Sequence, residues 1–548
     1  MKGKLFIAGL ALLALASCNK EDGTTLVNND AQGQYLAVNL KMSGAPTTKA
    51  WDATKFQDAS DEEIAVNKAQ FLFFNGENQC ADPYKVNSLT WGAPDHQDSD
   101  HKKADAIIVL RNPTAIPTSI VAILNDNTDI AKTTTMSQLI TKDFAAVEGF
   151  FVMTNSVYVD NGEVVIGTPV TEANIGKTEQ EALAAPVEIH VERVLAKVEL
   201  DKTAATQDTD SKVTDSAEKE ISVEITGFWL DYTNPDAYLV KSLTANALPG
   251  TWWNDAPNFR SYWAKSVETA AENMGRAAYK DANLDAKYVN ENTPKAADVA
   301  TDGDDSENHA ATQIVFATQL KVDGQVTDIV KYLSSYYTLA NWKTFIVNTY
   351  SNLYTKTTAE SGEVTLTRVT ADDITWSTPA VNTNDAKVEN PDWDGTSTAY
   401  ATGQYIEDWE AVITVQSNKP LFYANGNAAD PEGGKAIDKK YKVQFFNQGK
   451  SYFYAPIRHN DTLFSSTTST DSETGEEVTV ITPKDGYYGI VRNHLYKVKA
   501  TKIYGLGTPV ANPDKIIIPV KPEETESYIA AEIDVLKYKV VENEYELK

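Results

Sequence analysis

The sequence is poor in cysteine, in long apolar runs and in positive charge. Cys18 and Cys80 are its only two cysteines, and Cys18 lies where export would modify it, so we expect no intrachain disulfide and a stability that rests on packed cores. Beyond the first residues no apolar run approaches the roughly 18 residues that a membrane-spanning helix needs. Lys and Arg number 49 against 77 Asp and Glu, a net charge of -28. That balance argues against nucleic acid or an anionic membrane as a partner, because neutralising phosphates requires an excess of basic residues.

The N-terminus carries the features of a lipoprotein export signal. Lys2 and Lys4 precede an apolar run from Leu5 to Ala16, which ends in Leu-Ala-Ser-Cys at 15–18. Small residues before a cysteine suit a peptidase that cuts at that point and leaves a thiol for lipid attachment. The sequence therefore predicts a signal peptide at 1–17 and a diacylglycerol anchor on Cys18. The alternative is a first buried helix with a chance cysteine.

The composition predicts a mainly β protein with several domains. Hydrophobic residues make up 42% of the chain, with 26 Tyr and 10 Trp against 5 Met, and aromatic and β-branched residues favour strands. Residues 201–220 contain almost no apolar side chain, which is typical of a linker. We expect an N-terminal domain at 50–205 and a C-terminal domain at 221–548, with a lipidated propeptide at 18–49 before them.

The first regular segment of the mature chain is an amphipathic strand at Tyr35–Met42. Every second residue is apolar, which places one row of side chains on one face: Leu36, Val38, Leu40 and Met42. A Gly/Pro/Thr loop follows at 43–49 and ends in Lys49. Exposed loops of this kind are preferred sites of proteolysis. Cleavage between Lys49 and Ala50 would detach this first strand.

The C-terminus is a second amphipathic strand that continues to the last residue. Apolar residues alternate with polar ones, with changes of phase along the way, at Ile533, Val535, Leu536, Tyr538, Val540, Tyr545 and Leu547. An ordinary edge strand of the C-terminal domain and a specialised strand both fit this spacing.

Two further patterns predict local structure between these ends. Pro186–Leu200 alternates with one shift in phase, which predicts a single strand containing a bulge. Ile329–Leu353 has the clearest helical spacing, with Leu339, Trp342 and Phe345 on about one face.

The chain contains no recognisable catalytic motif. It lacks Gly-x-Ser-x-Gly, His-Glu-x-x-His, a phosphate-binding glycine loop and Cys-x-x-Cys, so we expect no enzyme, no catalytic residue and no cofactor. The polar loop 95–101 has two His and three Asp but nothing to preorganise them, so a solvated loop is favoured over a metal site. Trp252 and Trp253, with Trp229 and Trp263, are candidates for stacking on sugars, although core packing is the commoner role of such residues.

Several segments together resemble the fimbrial shaft subunits of Bacteroidales, the type V pilins of the minor-fimbrium type. The matching pieces are the Cys18 motif, the first strand with its basic cleavage point, and four further segments at 150–155, 192–198, 486–509 and 530–547. The segment at 486–509, which contains Arg492, is the most specific of them.

This resemblance implies two transthyretin-like β-sandwich domains with a few short helices. It also implies export as a lipoprotein precursor to the outer membrane, removal of the first strand by a protease, and assembly by exchange of strands between copies. The partners would be other copies in a surface filament together with anchor and tip subunits, in support of adhesion or colonisation. Family members are cleaved after an arginine, whereas here Lys49 occupies that place, which implies a protease with trypsin-like specificity. The alternatives are an anchor or tip subunit of such a fimbria and a glycan-binding surface lipoprotein.

Overall fold

The structure of the protein is a computed structural model. It describes residues 34–42, 60–87, 89, 103–142, 149–201, 206–207, 213–244, 263–269, 274–299, 311–381, 405–406, 410–429, 437–460, 462–470, 477–514, 516–517 and 528–536. No helix in this described part of the chain has the length and apolar character to cross a membrane.

The described chain up to Arg193 forms twelve strands and three short α-helices. In chain order the strands are β1 (Gln34–Met42), β2 (Ala69–Asn75), β3 (Asn78–Gln79), β4 (Tyr84–Val86), β5 (Lys103–Leu110), β6 (Ser119–Leu124), β7 (Met153–Asn155), β8 (Tyr158–Asp160), β9 (Glu163–Val165), β10 (Thr168–Pro169), β11 (Ile175–Gly176) and β12 (Val187–Arg193). The helices are α1 (Asp61–Ile64), α2 (Met136–Leu139) and α3 (Glu179–Ala184).

The remaining elements are mostly strands, joined by one longer helix, α4 (Leu339–Thr349). The strands are β13 (Ala196–Leu200), β14 (Thr206–Gln207), β15 (Val213–Thr214), β16 (Glu220–Asp231), β17 (Lys287–Val289), β18 (Gln313–Val322), β19 (Ile329–Tyr332), β20 (Ser335–Thr338), β21 (Tyr354–Thr358), β22 (Val364–Arg368), β23 (Ile374–Trp376), β24 (Ala380–Val381), β25 (Tyr405–Ile406), β26 (Glu410–Ser417), β27 (Asp438–Phe446), β28 (Lys450–Pro456), β29 (Phe464–Thr470), β30 (Glu477–Pro483), β31 (Leu495–Tyr504), β32 (Thr508–Pro509), β33 (Ile516–Ile517) and β34 (Tyr528–Leu536).

The N-terminal lobe is one curled sheet around an apolar core. Its strand order is β11-β1-β12-β7-β6-β2-β3, with β5 on β1, β4 on β2 and β10 on β6. Alternate residues of the separate strands meet in a single cluster, in which Val38 of β1 lies with Phe71, Ile120 and Ile189. The opposite face of β2 and β6 is covered by α2 and by residues 237–240. Burial on both faces explains why these two strands are almost continuously apolar.

The chain crosses from the first sheet to the second between Arg193 and Ala196. Strand β12 pairs with β1 and β7 in the first sheet, whereas β13 pairs with β17 and β31 in another. The prediction of one bulged strand over Pro186–Leu200 is therefore wrong: the shift in phase marks a change of sheet. The predicted bounds 50–205 and 221–548 stay a prediction, and the pairing of β13 favours a boundary near Leu195.

The C-terminal lobe is a sandwich of two sheets. One sheet has the order β14-β31-β13-β17 with β34 on β31, and the other has the order β15-β16-β18-β28-β32. Their facing side chains fill one core, with Val198 and Val498 from the first sheet and Phe228, Phe316 and Phe453 from the second. The alternation along β13 and β31 follows from this single buried face. The second sheet is buried on its other face as well, where Val315 and Tyr452 pack with Trp229.

A third sheet, with order β20-β19-β27-β26-β23, extends the C-terminal lobe and carries α4. Thr338 caps the helix by accepting a hydrogen bond from the Asn341 amide (3.2 Å), and Trp342 and Ile346 pack into the core of this sheet. The helix predicted within Ile329–Leu353 is confirmed at 339–349 and wrong at 329–338. There Ile329 and Val330 form a ladder with β27, and this tertiary pairing overrides the local spacing.

The predicted fold class, mainly β with a few short helices, is confirmed by these sheets. The third sheet and its helix were not anticipated as a separate unit, since β19 and β27 are more than a hundred residues apart in the chain.

Phe316 lies in the middle of β18 with no exposed surface, so its replacement tests the sandwich core. We expect Phe316→Ala to lower the free energy of unfolding by about 3–5 kcal/mol, because the lost ring leaves a cavity that its neighbours fill only in part. Urea unfolding followed by tryptophan fluorescence measures the change. Val326→Ala, at a side chain that is 52% exposed, is the control. A loss of similar size in both variants would contradict the sandwich packing.

Candidate functional site

Strand β1 lies in the interior of the first sheet rather than at its edge. It pairs antiparallel with β5 from Gln34↔Leu110 to Lys41↔Lys103, and parallel with β12 from Val38↔Val187 to Met42↔Val191. A short antiparallel contact with β11 completes its partners. Both edges of β1 are therefore hydrogen-bonded, and its removal would separate β5 from β12.

The predicted apolar row of β1 is buried. Leu36, Val38 and Leu40 have no exposed surface, while the side chain of Met42 lies outside the described residues. Burial of three such side chains is worth about 1.5–3 kcal/mol each, and the backbone ladders on both sides add to this. Without β1 the lobe would expose an apolar groove flanked by two unpaired strand edges, an arrangement that proteins avoid in the free state.

The predicted processing sites lie outside the described residues. Cys18, the lipidation site, precedes β1, and Lys49 and Ala50 fall within 43–59, between β1 and α1.

The described chain resumes after this interval at Ser60, just before α1. Ser60 caps α1 in a reciprocal capping box with Glu63. The Tyr288 hydroxyl and the Lys197 Nζ both approach Glu63 Oε1, at 2.7 and 2.9 Å. Since Tyr288 and Lys197 belong to β17 and β13, Glu63 ties the start of the first domain to the C-terminal lobe. Cleavage at Lys49 would leave this attachment in place.

The ionisation of Glu63 is strongly favoured in the folded protein. Burial opposes the carboxylate, but hydrogen bonds from Tyr288, Ser60 and Lys197 lower the pKa of Glu63 to about 2. The phenol that donates to it responds in the opposite sense: burial and the Glu63 carboxylate raise the pKa of Tyr288 to about 12. Glu63 is therefore an anion at every physiological pH.

The predicted tail strand is present in part as β34, at the edge of the sandwich. It pairs antiparallel with β31 along its whole length, from Leu495↔Leu536 to Tyr504↔Tyr528. Ile533 and Val535 pair with Val498 and Tyr496; their side chains, and that of Leu536, lie outside the described residues. Tyr538, Val540, Tyr545 and Leu547 lie beyond the described chain altogether. In the single chain the tail is thus an edge strand.

Charged residues that sequence reasoning missed lie buried where the two lobes meet. Lys241 Nζ contacts Glu192 Oε2 at 2.7 Å, and Arg492 Nε contacts Glu291 Oε2 at 3.2 Å. All four side chains are at most 3% exposed. Burial raises the pKa of Glu192 above its ordinary value, although Lys241 and Arg492 both favour its carboxylate. Glu192 is buried even though the alternation along β12 places it on the same face as the exposed Glu188.

Arg193 and Asn493 complete this junction. Asn493 Oδ1 accepts hydrogen bonds from the Arg193 amide (3.3 Å) and from its Nη2 (3.1 Å). Asn493 has a positive φ of 59°, a conformation that asparagine tolerates better than most residues. No local sequence signal identifies these contacts, because the partners are about 300 residues apart.

Of the aromatic candidates for sugar stacking, only Trp229 and Trp263 lie within the described residues, and both pack against other side chains. Trp229 is 2% exposed and packs with Tyr279 and Tyr452 in the core, so its candidate role is wrong. Trp263 lies over His459, and a Cβ at Gly489 would meet its ring at 2.7 Å. Trp252 and Trp253 lie outside the described residues, as do residues 95–101 of the polar loop. Within the described residues no group of three or more His, Cys, Asp or Glu is placed to hold a metal.

Residues 444–544, which include β28 and most of the tail, match the family "Major fimbrial subunit protein type IV, Fimbrillin, C-terminal". The resemblance to fimbrial subunits is thereby confirmed. The matched segment contains Arg492, Asn493 and the β31–β34 pair. No curated protein sequence matches the chain at a significant level.

Several solved structures align with the chain over most of its length. A putative cell adhesion protein from Parabacteroides distasonis is 12% identical, with 91% of this chain and 96% of that chain covered and a TM-score of 0.37. A fimbrilin (fimA) from Porphyromonas gingivalis is 10% identical, with 92% and 99% covered and a TM-score of 0.33. The tip fimbrial protein Mfa3 from Porphyromonas gingivalis is 10% identical, with 91% and 99% covered and a TM-score of 0.29. With TM-scores this low, no argument about function rests on these similarities.

The Glu63 contacts predict a pH-dependent contribution to stability. A carboxylate whose folded pKa is about 2 against an ordinary 4.5 stabilises the fold fully above pH 4.5, and its contribution disappears as the pH falls from 4.5 towards 2. We expect Glu63→Gln to cost about 2 kcal/mol at pH 7 and to approach the wild type near pH 2. Urea unfolding at a series of pH values measures this difference, with Glu62→Gln, at an exposed neighbour, as the control. A pH-independent gap would contradict the anchoring role of the charge.

Proposed function

We propose that the protein is the shaft subunit of a cell-surface fimbria, polymerised by protease-triggered donor-strand exchange. The observation that carries the proposal is the placement of β1, an interior strand whose Leu36, Val38 and Leu40 are buried and which is followed in the sequence by a Gly/Pro/Thr segment ending in Lys49. The fimbrillin match over 444–544 supports the fimbrial role, and that family is a structural one.

The acceptor site would arise by removal of β1. Its loss exposes the side chains that contact Leu36, Val38 and Leu40, and leaves the edges of β5 and β12 without partners. An incoming amphipathic strand restores both the ladder and the apolar row, which is the principle of β-strand addition. At about 25 cal/mol per Å² of apolar surface, refilling such a groove is worth several kcal/mol before the entropy of ordering the strand.

The donor would be the tail of another copy, with Ile533, Val535, Leu536, Tyr538, Val540, Tyr545 and Leu547 supplying the apolar row. Because β34 pairs with β31 of its own chain in the free subunit, donation requires the tail to leave that edge. Donor and acceptor are different surfaces, so the contact between copies is heterologous and does not close on itself. Repetition of it builds a filament.

The precursor would reach the surface as a lipoprotein. Cys18 would carry diacylglycerol and hold the chain at the outer membrane until cleavage between Lys49 and Ala50 removes the anchor together with β1. The partners would be further copies of the chain and the anchor and tip subunits of the same fimbria. The building units of the shaft would be two domains, predicted at 50–205 and 221–548. The sheet pairing favours moving the end of the first domain to near Leu195.

Replacement of the processing residue tests the trigger. We expect Lys49→Ala to leave a lipid-bearing monomer that retains β1, because the groove then stays filled by its own strand. N-terminal sequencing of surface protein measures the outcome: Ala50 is the expected first residue in the wild type, and Cys18 in the variant. Lys55→Ala, at the next lysine in the chain, is the control. Normal filaments from Lys49→Ala would place the cleavage elsewhere.

Changes in the tail test the donor. Deletion of Ala530–Lys548 should leave a folded, exported and cleaved protein that cannot elongate, because its grooves stay empty. Ile533→Asp with Val535→Asp should act in the same way, since each charge in an apolar groove costs several kcal/mol. Glu532→Gln with Asp534→Asn, in the alternate row of the same strand, is the matched control. Electron microscopy of cells measures the filament length. Filaments of ordinary length from the deletion variant would contradict the donor role and leave the tail as an ordinary edge strand.

A further inference from the structure

The strand expected to be removed and the strand expected to be donated are joined by a short series of buried contacts. The ladder between β1 and β12 ends at Met42↔Val191. The next two residues of β12, Glu192 and Arg193, pair with Thr154 and Met153 of β7 on the other edge of the strand. These two residues are 2% and 3% exposed. The end of the β1 ladder is therefore covalently adjacent to the charges at the lobe junction.

Glu192 connects β12 to the segment that holds Arg492. Its carboxylate contacts Lys241 Nζ at 2.7 Å, and the residues just before Lys241 present their carbonyl groups to Arg492. Arg492 Nη2 donates to the Tyr238 carbonyl (2.8 Å) and Nη1 donates to the Leu239 carbonyl (3.3 Å). The same Leu239 oxygen accepts from Thr154 Oγ1 (3.2 Å), on the strand that pairs with Glu192.

Arg193 makes the second connection, directly to the start of β31. Its backbone and guanidinium both donate to Asn493 Oδ1, and the Asn493 amide donates to the Leu195 carbonyl (3.0 Å). Two residues later β31 begins at Leu495, which is paired with Leu536 of β34. The lobe junction thus fixes the end of the strand on which the tail lies.

Buried contacts of this kind tend to form or break together when one of the partners is displaced. A buried ion pair is stable when both partners and their hydrogen bonds are in place, and separation of one partner leaves an uncompensated charge that is expensive to keep buried. Packed interfaces with such networks have discrete arrangements rather than a continuous range of them. A loss of order at the end of β12 is therefore transmitted to Arg492 and Asn493 rather than absorbed locally.

We propose that the buried lobe junction couples the presence of β1 to the pairing of β31 with the tail strand β34. The junction consists of the contacts among Glu192, Lys241, Glu291 and Arg492 together with the Arg193–Asn493 contact. With β1 in place the junction is complete and the tail lies on its own chain. Loss of β1 turns β12 into an edge, loosens its last residues and lowers the barrier to release of the tail. The inference rests on the proposed function, and under it an uncut subunit does not donate its tail.

Hydrogen exchange in the monomer tests this coupling without any filament. Val38→Ala weakens β1 in the full chain, and Val66→Ala is the matched control, since Val66 is buried in the same core but lies outside the strands that pair with β12. Mass spectrometry then follows the amides of 495–504 and 528–536. We expect Val38→Ala to accelerate their exchange roughly tenfold, as local opening becomes more frequent, whereas Val66→Ala leaves it close to the wild type.

The same measurement on junction variants shows whether the buried charges carry the effect. Glu192→Met with Lys241→Met removes one ion pair while conserving volume, and Asn493→Gly removes the acceptor of Arg193 while keeping the positive φ. In either background, Val38→Ala should no longer change exchange at 495–504 more than Val66→Ala does. The glycine variant keeps the test decisive if the double variant fails to fold.

Two outcomes would overturn the inference: equal exchange at 495–504 in Val38→Ala and Val66→Ala, or an undiminished response to Val38→Ala in both junction variants. Neither outcome depends on assembly, so they are distinguishable from failure of the proposed function. If the tail deletion still blocks filaments while exchange shows no coupling, donation stands and the junction is only a rigid joint. If coupling is present but the tail deletion leaves normal filaments, the junction does couple β1 to β34 and the proposed donor role of the tail is wrong.

Discussion

The rest of the structure depends on the position of one strand between two others. Strand β1 is hydrogen-bonded to β5 on one edge and to β12 on the other, and its apolar row fills the core of the first lobe. A strand at that position cannot leave without opening its sheet, because both neighbours lose their ladders at once. In the sequence, residues 43–59 are the only covalent connection between β1 and the rest of its lobe. After a single cut there, only non-covalent contacts would hold β1 in place. Stability and the capacity to exchange strands thus arise from the same arrangement.

Buried charge is the second constraint. Glu192, Lys241, Glu291 and Arg492 are paired inside the junction of the lobes, where apolar residues of the same size would often serve stability equally well. Ion pairs and the hydrogen bonds of Asn493 depend on distance and direction, so they constrain the placement of β12 against β31 more closely than apolar contacts do. Glu63, tied to Tyr288 and Lys197, repeats this solution where the described chain resumes after residues 43–59. Polar contacts between the lobes fix orientation, and apolar cores within each lobe supply most of the stabilisation.

Sequence patterns were informative where one strand has one buried face. The alternation at Leu36, Val38 and Leu40 predicted a strand with a buried row, which the structure has, and Trp342 and Ile346 do lie on the buried side of a helix. The same reasoning failed where pairing is long-range. Ile329 and Val330 fit a helical period but lie in a ladder with β27, and the shift in phase within Pro186–Leu200 was a change of sheet rather than a bulge. Local spacing carries no information about a strand partner a hundred residues away. Pairing with such a partner decides whether a segment is helix or strand, and to which sheet a strand belongs.

The sequence by itself determined the mainly β class, the amphipathic character of both terminal strands and the acidic charge balance, since composition and periodicity act through local physics. It also contained the resemblance to fimbrial subunits, which the match over 444–544 confirmed. Only the tertiary structure decided that β1 is interior rather than an edge, that Glu192 is buried against Lys241, and that β34 lies on β31 in the single chain. Each of these depends on which segments come into contact in the folded chain. The free energy of a buried charge, or of a strand paired on both edges, is set by those contacts and not by either segment alone.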